Sequence, residues 1–192
     1  MDSPNPWSCA TYLMAAFVFA GALQAGWLYS KAARRFGTPI DGGRLFRGQR
    51  ILGDNKTWRG FVVMVPATGF AFLLLEVLRQ QEPPETLWPI TLWQYTLLGC
   101  WAGFGFMVAE LPNSVLKRQL KVAPGETPTQ AWARGLCFFL DQVDSVVGAL
   151  FAVSLCVPVP IVTWVVMLVC GTVVHWLFNV VLFLVGAKKR AA

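Results

Sequence analysis

The sequence predicts an all-α, polytopic integral membrane protein with five transmembrane helices. Hydrophobic residues make up 56% of the 192-residue chain and charged residues only 14%, with a mean hydropathy of +0.54. This is far more apolar than an ordinary soluble domain. The apolar residues are gathered into segments close to the roughly 20 residues that cross a hydrocarbon core. The charged residues lie almost wholly in the connectors between these segments.

The predicted spans cover residues 8–29, 61–78, 92–109, 143–157 and 161–187. The fourth is short, because Pro158 and Pro160 follow only about 15 apolar residues. It crosses the membrane only if its helix also includes the approach over 136–144. No Lys or Arg precedes the first span, so we interpret that span as retained rather than as a cleaved signal peptide.

The basic residues predict the orientation of the spans. Fifteen of the sixteen Lys and Arg residues fall within 30–60, within 110–142 or after the fifth span, and Arg79 is the exception. Because cytoplasmic loops keep Lys and Arg, the N-terminus is expected outside and the C-terminus inside. We therefore expect one domain over 1–192 in the cell inner (cytoplasmic) membrane, with functional cytoplasmic loops over 30–60 and 110–142.

Several other features have ordinary structural interpretations. The net charge of +6 and the pI near 9.3 come from loop charge beside the bilayer, which favours contact with anionic lipid over nucleic acid. The five cysteines lack C-x-x-C spacing, so neither a zinc site nor a disulfide framework is supported. Gly99-x-x-x-Gly103, and His175 with Asn179, are typical of helix packing. Self-association into a homodimer through the glycine-rich third span is left open.

The first inward connector has the composition of a polyphosphate site. Residues 41–60 alternate cations with glycines and aromatics. Glycine lets the backbone approach an anion closely, and Lys and Arg form charge-assisted bonds to phosphate oxygens. The alternative is a basic cytoplasmic loop with several turns.

A second polar block follows the third span. On a continuous helix, an acid, a hydroxyl and two cations share one face: Glu110, Ser114, Lys117 and Arg118. Pro112 is expected to kink the helix or restart it near Val108. The alternative is that the two cations simply mark the cytoplasmic boundary.

The third block is an acidic pair at the start of the fourth span. Asp141 and Asp144 are spaced i, i+3, and Gly148 follows one turn later. Two carboxylates on one helical face, below a position with no side chain, predict a hard-cation site with room for a phosphate. Mg²⁺ suits it best, because this ion prefers carboxylate, water and phosphate oxygens. The alternative is an acidic first turn that complements the helix dipole.

Together these blocks resemble the CTP-dependent lipid cytidylyltransferases, and most closely the CDP-archaeol synthase family. The resemblance runs from about Asp41 to Phe151, and its matching stretches are 52–60, Ser114-x-x-Lys117-Arg118, and 140–145 with Gly148 and Ala149. One departure is Ala109-Glu110-Leu111, where the family usually has Gly-Asp-Leu.

The resemblance implies transfer of a cytidylyl group from CTP to a membrane lipid phosphate in the bilayer, with release of pyrophosphate. It implies Mg²⁺ held by Asp141, Asp144 and Glu110. The catalytic residues it implies are Lys56, Arg59, Lys117, Arg118, Asp141 and Asp144. The substrate-binding residues it implies are Gly53, Asp54, Asn55, Lys56, Thr57, Arg59, Ser114, Lys117 and Arg118.

The identity of the lipid is only narrowed by the resemblance. The archaeol branch favours an ether-linked or isoprenoid glycerol phosphate, with phosphatidate as an alternative. The segment Ala109-Glu110-Leu111-Pro112 motivates a second hypothesis. In that case the protein is a non-catalytic lipid- or nucleotide-binding protein, or a lipid transporter, that keeps the fold.

Overall fold

The computed structural model describes residues 3–28, 30–79, 87–123, 126–184 and 186. The helices of these ranges are α1 Pro6–Leu28, α2 Trp58–Arg79, α3 Leu92–Gln119, α4 Ala131–Ser154, α5 Ile161–Val166 and α6 Thr172–Leu184. A π-helical segment, Met167–Gly171, joins α5 to α6. The predicted span ends at Tyr29 and Ala187 and the basic tail 188–190 lie outside the described residues.

Most of the described helices are suited to a bilayer. Four are long and apolar enough to cross it: Pro6–Leu28, Trp58–Arg79, Ala131–Ser154 and Ile161–Leu184. The last of these combines α5, the π segment and α6. The architecture is therefore helical and multi-pass. Helix α3 has 28 residues but is not among these four, so a fifth span and the orientation of the termini stay predictions.

The helix bounds correct the predicted loops. Helix α3 runs through Pro112 to Gln119, so the predicted restart near Val108 does not occur. Helix α4 begins at Ala131 and so includes the approach that the fourth crossing requires. The predicted loop over 110–142 shrinks to the connector 120–130. Because the first turn of α4 carries no acid, the helix-dipole interpretation of the acidic pair is wrong.

Glycines bring α2 and α3 into close contact. A Cβ atom added to Gly99 would lie 2.6 Å from the carbonyl oxygen of Thr68, and one added to Gly103 would lie 2.9 Å from the carbonyl oxygen of Met64. Small residues allow such approach of two backbones in membrane proteins. The Gly99-x-x-x-Gly103 motif therefore packs within the chain, and this face is not exposed for the homodimer that the sequence left open.

A second glycine pair brings α3 and α4 together. A Cβ atom on Gly148 would lie 2.2 Å from the Cβ of Ala109 and 2.4 Å from the carbonyl oxygen of Gly105. Both distances are far below van der Waals contact. The space beside Gly148 is thus filled by α3, which corrects the expectation that it accommodates a phosphate.

Substituting Gly148 with Ala is expected to destabilise the protein by about 1–3 kcal/mol, because α3 and α4 must separate. Thermal unfolding in detergent measures the effect. The control is Gly135→Ala on the same helix, where an added Cβ meets no atom within 4 Å. That control is expected to be neutral or slightly stabilising. Equal shifts in the two variants would contradict the packing assignment.

The end of the bundle remote from the basic connectors is closed by aromatic side chains. The Tyr12 hydroxyl donates to the Phe72 carbonyl at 2.8 Å, and the Tyr95 hydroxyl donates to the Trp88 carbonyl at 2.8 Å. The Trp88 indole N–H donates to the Pro158 carbonyl at 2.7 Å. The first bond joins α1 to α2, and the other two join α3, through Trp88, to the segment after α4.

Candidate active site

The first connector is an ordered structure. A 3₁₀ helix, Ala32–Phe36, is followed by an antiparallel hairpin of β1 Leu45–Phe46 and β2 Gln49–Arg50. The turn residues Arg47 and Gly48 have φ values of 52° and 75°. Positive φ at both central positions is the geometry of a type I′ hairpin turn. The connector therefore presents its residues from a defined backbone.

Asp41 anchors this connector. Its carboxylate, 1% exposed, accepts hydrogen bonds from the Arg50 guanidinium at 2.7 Å and from the backbone N–H groups of Leu52 at 2.9 Å and Gly53 at 3.0 Å. The Arg50 guanidinium, helped by these amides, outweighs burial and holds the pKa of Asp41 well below its usual range. Sequence reasoning assigned Asp41 no role, because its partners are defined only by the folded loop.

Substituting Asp41 with Asn is expected to lower the free energy of local unfolding of the connector by about 2–3 kcal/mol, because charge-assisted hydrogen bonds are lost. In the wild type the carboxylate stabilises the connector above the ordinary pKa of Asp, and this contribution fades as pH falls toward its depressed folded pKa. Limited proteolysis of residues 37–57 from pH 7 downward measures it. The variant should be cleaved at every pH. Cleavage profiles identical to those of the wild type would contradict the anchoring role.

The connector delivers Lys56 to the open end of the bundle. The Ile40 N–H donates to the Lys56 carbonyl at 2.9 Å, and Pro39 pairs with Thr57 in a β-bridge. The Lys56 ammonium then donates to Glu110 Oε2 at 2.5 Å. Burial opposes the charged form, but the Glu110 carboxylate outweighs it and raises the pKa of Lys56 above its ordinary value.

Glu110 and Asp144 meet at a buried serine. The Ser145 hydroxyl donates to Glu110 Oε1 at 2.9 Å, and the Ser145 backbone N–H donates to Asp144 Oδ1 at 2.7 Å. Ser145 itself is fully buried. It thus connects a carboxylate on α3 with one on α4. Sequence analysis placed Ser145 in a matching motif but gave it no role.

Asp141 is held from α3 by two groups. The Asn113 side-chain amide donates to Asp141 Oδ1 at 2.7 Å, and the Lys117 ammonium forms an ion pair with the other carboxylate oxygen. Asn113 is buried, and sequence analysis did not single it out. The Ser114 hydroxyl donates to the Glu110 carbonyl at 3.1 Å. The polar face predicted on α3 therefore exists and turns toward α4.

These groups line one end of a cavity of about 1090 Å³. The predicted site residues in its lining are Asn55, Lys56, Thr57, Arg59, Glu110, Ser114, Lys117, Arg118, Asp141 and Asp144. Gly53 and Asp54 lie outside the lining. The Gly53 N–H is bonded to Asp41, and Asp54 is exposed and pairs with Arg50 at 2.8 Å.

Arg118 is the cation in this end most clearly prepared for a ligand. Arg118 is 8% exposed, and its Nε and Nη1 atoms are buried with no hydrogen-bond partner in the part of the chain that the structure describes. A buried guanidinium with unpaired donors is costly. An anion entering the cavity, such as a phosphate, would satisfy these donors.

The other part of the cavity is lined mainly by apolar side chains. It continues between α1, α3, the π segment and α6, where its lining includes Met14, Phe17, Phe106, Met167 and Phe178 together with the polar residues His175 and Asn179. A polar end rich in charge and an apolar extension between membrane-type helices together form a site for an amphipathic ligand.

The carboxylates supply the oxygen donors that Mg²⁺ prefers. Glu110, Asp141 and Asp144 all line the polar end. Within the described ranges, no three His, Cys, Asp or Glu side chains form a ready-made metal cluster, and lysines pair with Glu110 and Asp141. The donor set fits Mg²⁺ in its chemistry, and a metal would share these carboxylates with the lysines.

Fold and site together define a multi-pass helical membrane protein with a charged cavity that continues into an apolar one. The family model described as CarS-like, CDP-archaeol synthase, matches residues 29–191. The chain belongs to this family, and the resemblance seen in the sequence is confirmed.

Individual relatives agree with the family model. The chain is 38% identical to a CDP-archaeol synthase of Halorubrum lacusprofundi over 163 residues, covering 80% of this chain and 83% of the relative. It is 34% identical to that of Halobacterium salinarum with the same coverage. It is 30% identical to that of Methanoculleus marisnigri, covering 80% of this chain and 89% of the relative. No solved structure matches significantly.

Proposed function

We propose that this protein transfers the cytidylyl group of CTP to a membrane lipid phosphate, giving a CDP-activated lipid and pyrophosphate. The observation that carries the proposal is that one cavity contains both the lysines and carboxylates and an apolar extension. The triphosphate of CTP would bind in the charged part of the cavity, and a lipid chain would bind in the apolar part. The names of the relatives favour an ether-linked isoprenoid glycerol phosphate as the lipid.

The reaction requires little proton transfer by the protein. An oxygen of the lipid phosphate attacks the α-phosphorus of CTP, and the bond from that phosphorus to the pyrophosphate oxygen breaks. A phosphate monoester is already anionic at neutral pH, so it attacks without a strong general base. Catalysis then consists of positioning and of neutralising charge.

The cations of the polar end are suited to hold the phosphates. Lys56 and Lys117 pair with two different carboxylates of this end, Glu110 and Asp141. Arg118 offers unpaired donors, and Arg59 lines the same end. We assign these four residues to the oxygens of the triphosphate and of the lipid phosphate.

We further propose that Asp141, Asp144 and Glu110 hold Mg²⁺ with the nucleotide. When bound, the ion would neutralise charge on the triphosphate and stabilise the leaving pyrophosphate. Asn113 orients Asp141, and Ser145 orients Glu110 and Asp144. Hydrogen bonds of this kind orient the carboxylates that would hold a metal.

The basic residues support a cytoplasmic site in the cell inner membrane. The cavity's charged end is formed by Lys56 of the first connector and by the adjoining ends of α2, α3 and α4. The connectors that follow these helix ends carry most of the Lys and Arg, and such connectors stay in the cytoplasm. CTP is a cytoplasmic metabolite, so the proposed orientation places the site where the nucleotide is. The lipid head group would reach the site from the bilayer through the apolar extension.

The test uses the purified full chain in detergent with radiolabelled CTP, Mg²⁺ and a panel of ether- and ester-linked glycerol phosphates. Formation of labelled CDP-lipid is expected, with the ether-linked isoprenoid substrate preferred. Chelation of the metal should stop the reaction, and added Mg²⁺ should restore it. Binding of CTP without turnover on the whole panel would overturn the proposal in favour of a non-catalytic binding protein.

A further inference from the structure

Gln142 is a buried amide that the proposed chemistry does not use. It is 5% exposed and lines the cavity, and among the described residues neither its Nε2 nor its Oε1 atom has a hydrogen-bond partner. A buried polar group left without a partner costs about 1–3 kcal/mol. Nearly all such groups in native proteins are satisfied, so this amide is expected to meet a ligand.

The position of Gln142 on α4 identifies the part of the cavity that it faces. Residues one turn before and after it, Phe138 and Val146, line the same cavity. The Val146 side chain lies 3.5 Å from where a Cβ on Gly171 would stand, so this side of α4 meets the π segment. Asp141 is turned instead toward α3 by its bonds to Asn113 and Lys117.

Gln142 is also close to the phosphate end. It follows Asp141 in the chain, and consecutive Cα atoms are about 3.8 Å apart. Gln142 thus belongs to the part of α4 that borders the charged end through Asp141 and the π segment through Val146. In a glycerol phosphate lipid, the oxygens that join the chains to glycerol lie just beyond the phosphate, at the corresponding boundary of the ligand.

We infer that Gln142 binds the glycerol part of the lipid substrate. Its Nε2 donates a hydrogen bond to an oxygen that links a hydrocarbon chain to glycerol. Ether and ester oxygens both accept such a bond, whereas the hydrocarbon chains beyond them cannot. This inference rests on the proposed function and adds the residue that sets the depth at which the lipid is held.

The test compares Gln142→Leu with the wild type. The KM for the lipid phosphate is expected to rise about tenfold, which corresponds to loss of one hydrogen bond in a buried site. The KM for CTP is expected to change less than twofold. Without lipid the variant should unfold at the same or a higher temperature than the wild type, because an unpartnered amide has been removed. A structural role for Gln142 would instead lower that temperature.

Thr172→Val is the matched control. The Thr172 hydroxyl is also buried without a partner, but Thr172 is not part of the cavity lining. Its replacement should leave both KM values unchanged. Gln142→Met replaces Gln142→Leu if the latter fails to fold.

Three outcomes would overturn the inference: an unchanged lipid KM, a larger rise for CTP than for lipid, or equal effects of the Thr172 control. Failure of the proposed function gives a separate result, since the wild type would then form no CDP-lipid. In that case, stabilisation of the wild type by an added glycerol phosphate lipid is compared with that of Gln142→Leu. Equal stabilisation would overturn the role of Gln142.

Discussion

Replacing Asp141 or Asp144 with Asn is expected to lower turnover by about two to three orders of magnitude, with the protein still folded and inserted. Each change removes a carboxylate charge and keeps the size of the side chain. At position 141 it also leaves the Lys117 ammonium without its counter-charge. At position 144 the backbone N–H of Ser145 still finds an oxygen acceptor. Steady-state rates across a Mg²⁺ titration measure the effect.

The control for these variants is Glu76→Gln. Glu76 pairs with Arg79 near the C-terminal end of α2, whereas the site lies at the N-terminal end of that helix, and Glu76 lies outside the cavity lining. Its change should alter turnover per folded protein less than about threefold, because it removes no charge from the cavity. Unchanged turnover in Asp141→Asn or in Asp144→Asn would refute the assignment of that carboxylate to the metal.

Replacing Lys56 with Met should lower kcat/KM for CTP at least about a hundredfold. The Lys56 ammonium contributes to the site in two ways. It neutralises Glu110 at 2.5 Å, and it is assigned to a phosphate oxygen of CTP. Methionine keeps most of the side-chain length but removes the charge. Initial rates at varied CTP concentration, together with the temperature of unfolding, measure the effect.

Lys31→Met is the matched control, because Lys31 is an exposed cation of the same connector and does not line the cavity. Its loss should change kcat/KM only slightly.

A further experiment compares the single variants Lys56→Met and Glu110→Gln with the double variant. Since the two side chains form one ion pair, the double variant should lose less than the two single losses combined. Fully independent losses would contradict the pairing.

Much of this molecule follows from local sequence patterns. Long apolar segments and the segregation of Lys and Arg predict a multi-pass helical protein. Residue type and short spacing also predicted the cations expected to bind phosphate and the acidic pair. Ten of the predicted site residues line the cavity. These features depend on neighbours within one or two helical turns, which a sequence displays directly.

Predictions were less accurate where helices continue past the apolar core. Helix α3 runs beyond Pro112 to Gln119, and α4 begins at Ala131. The polar residues at these helix ends were predicted to be loop, because hydropathy along the sequence indicates only where the hydrocarbon core ends. Contacts between the two helices support the extra turns, and these contacts join residues more than 20 positions apart in the sequence, such as Asn113 and Lys117 with Asp141.

The amino-acid order was sufficient to predict the membrane character, the helical class, the family and most of the charged groups that line the cavity. The partners of each group came only from the folded chain: Lys56 with Glu110, Lys117 with Asp141, and Asp41 with its hairpin. The same holds for Gly148 as a packing contact and for the unpartnered amide of Gln142. The physical reason is that helix periodicity defines which residues share a face, whereas the rotation of one helix against another defines which faces meet.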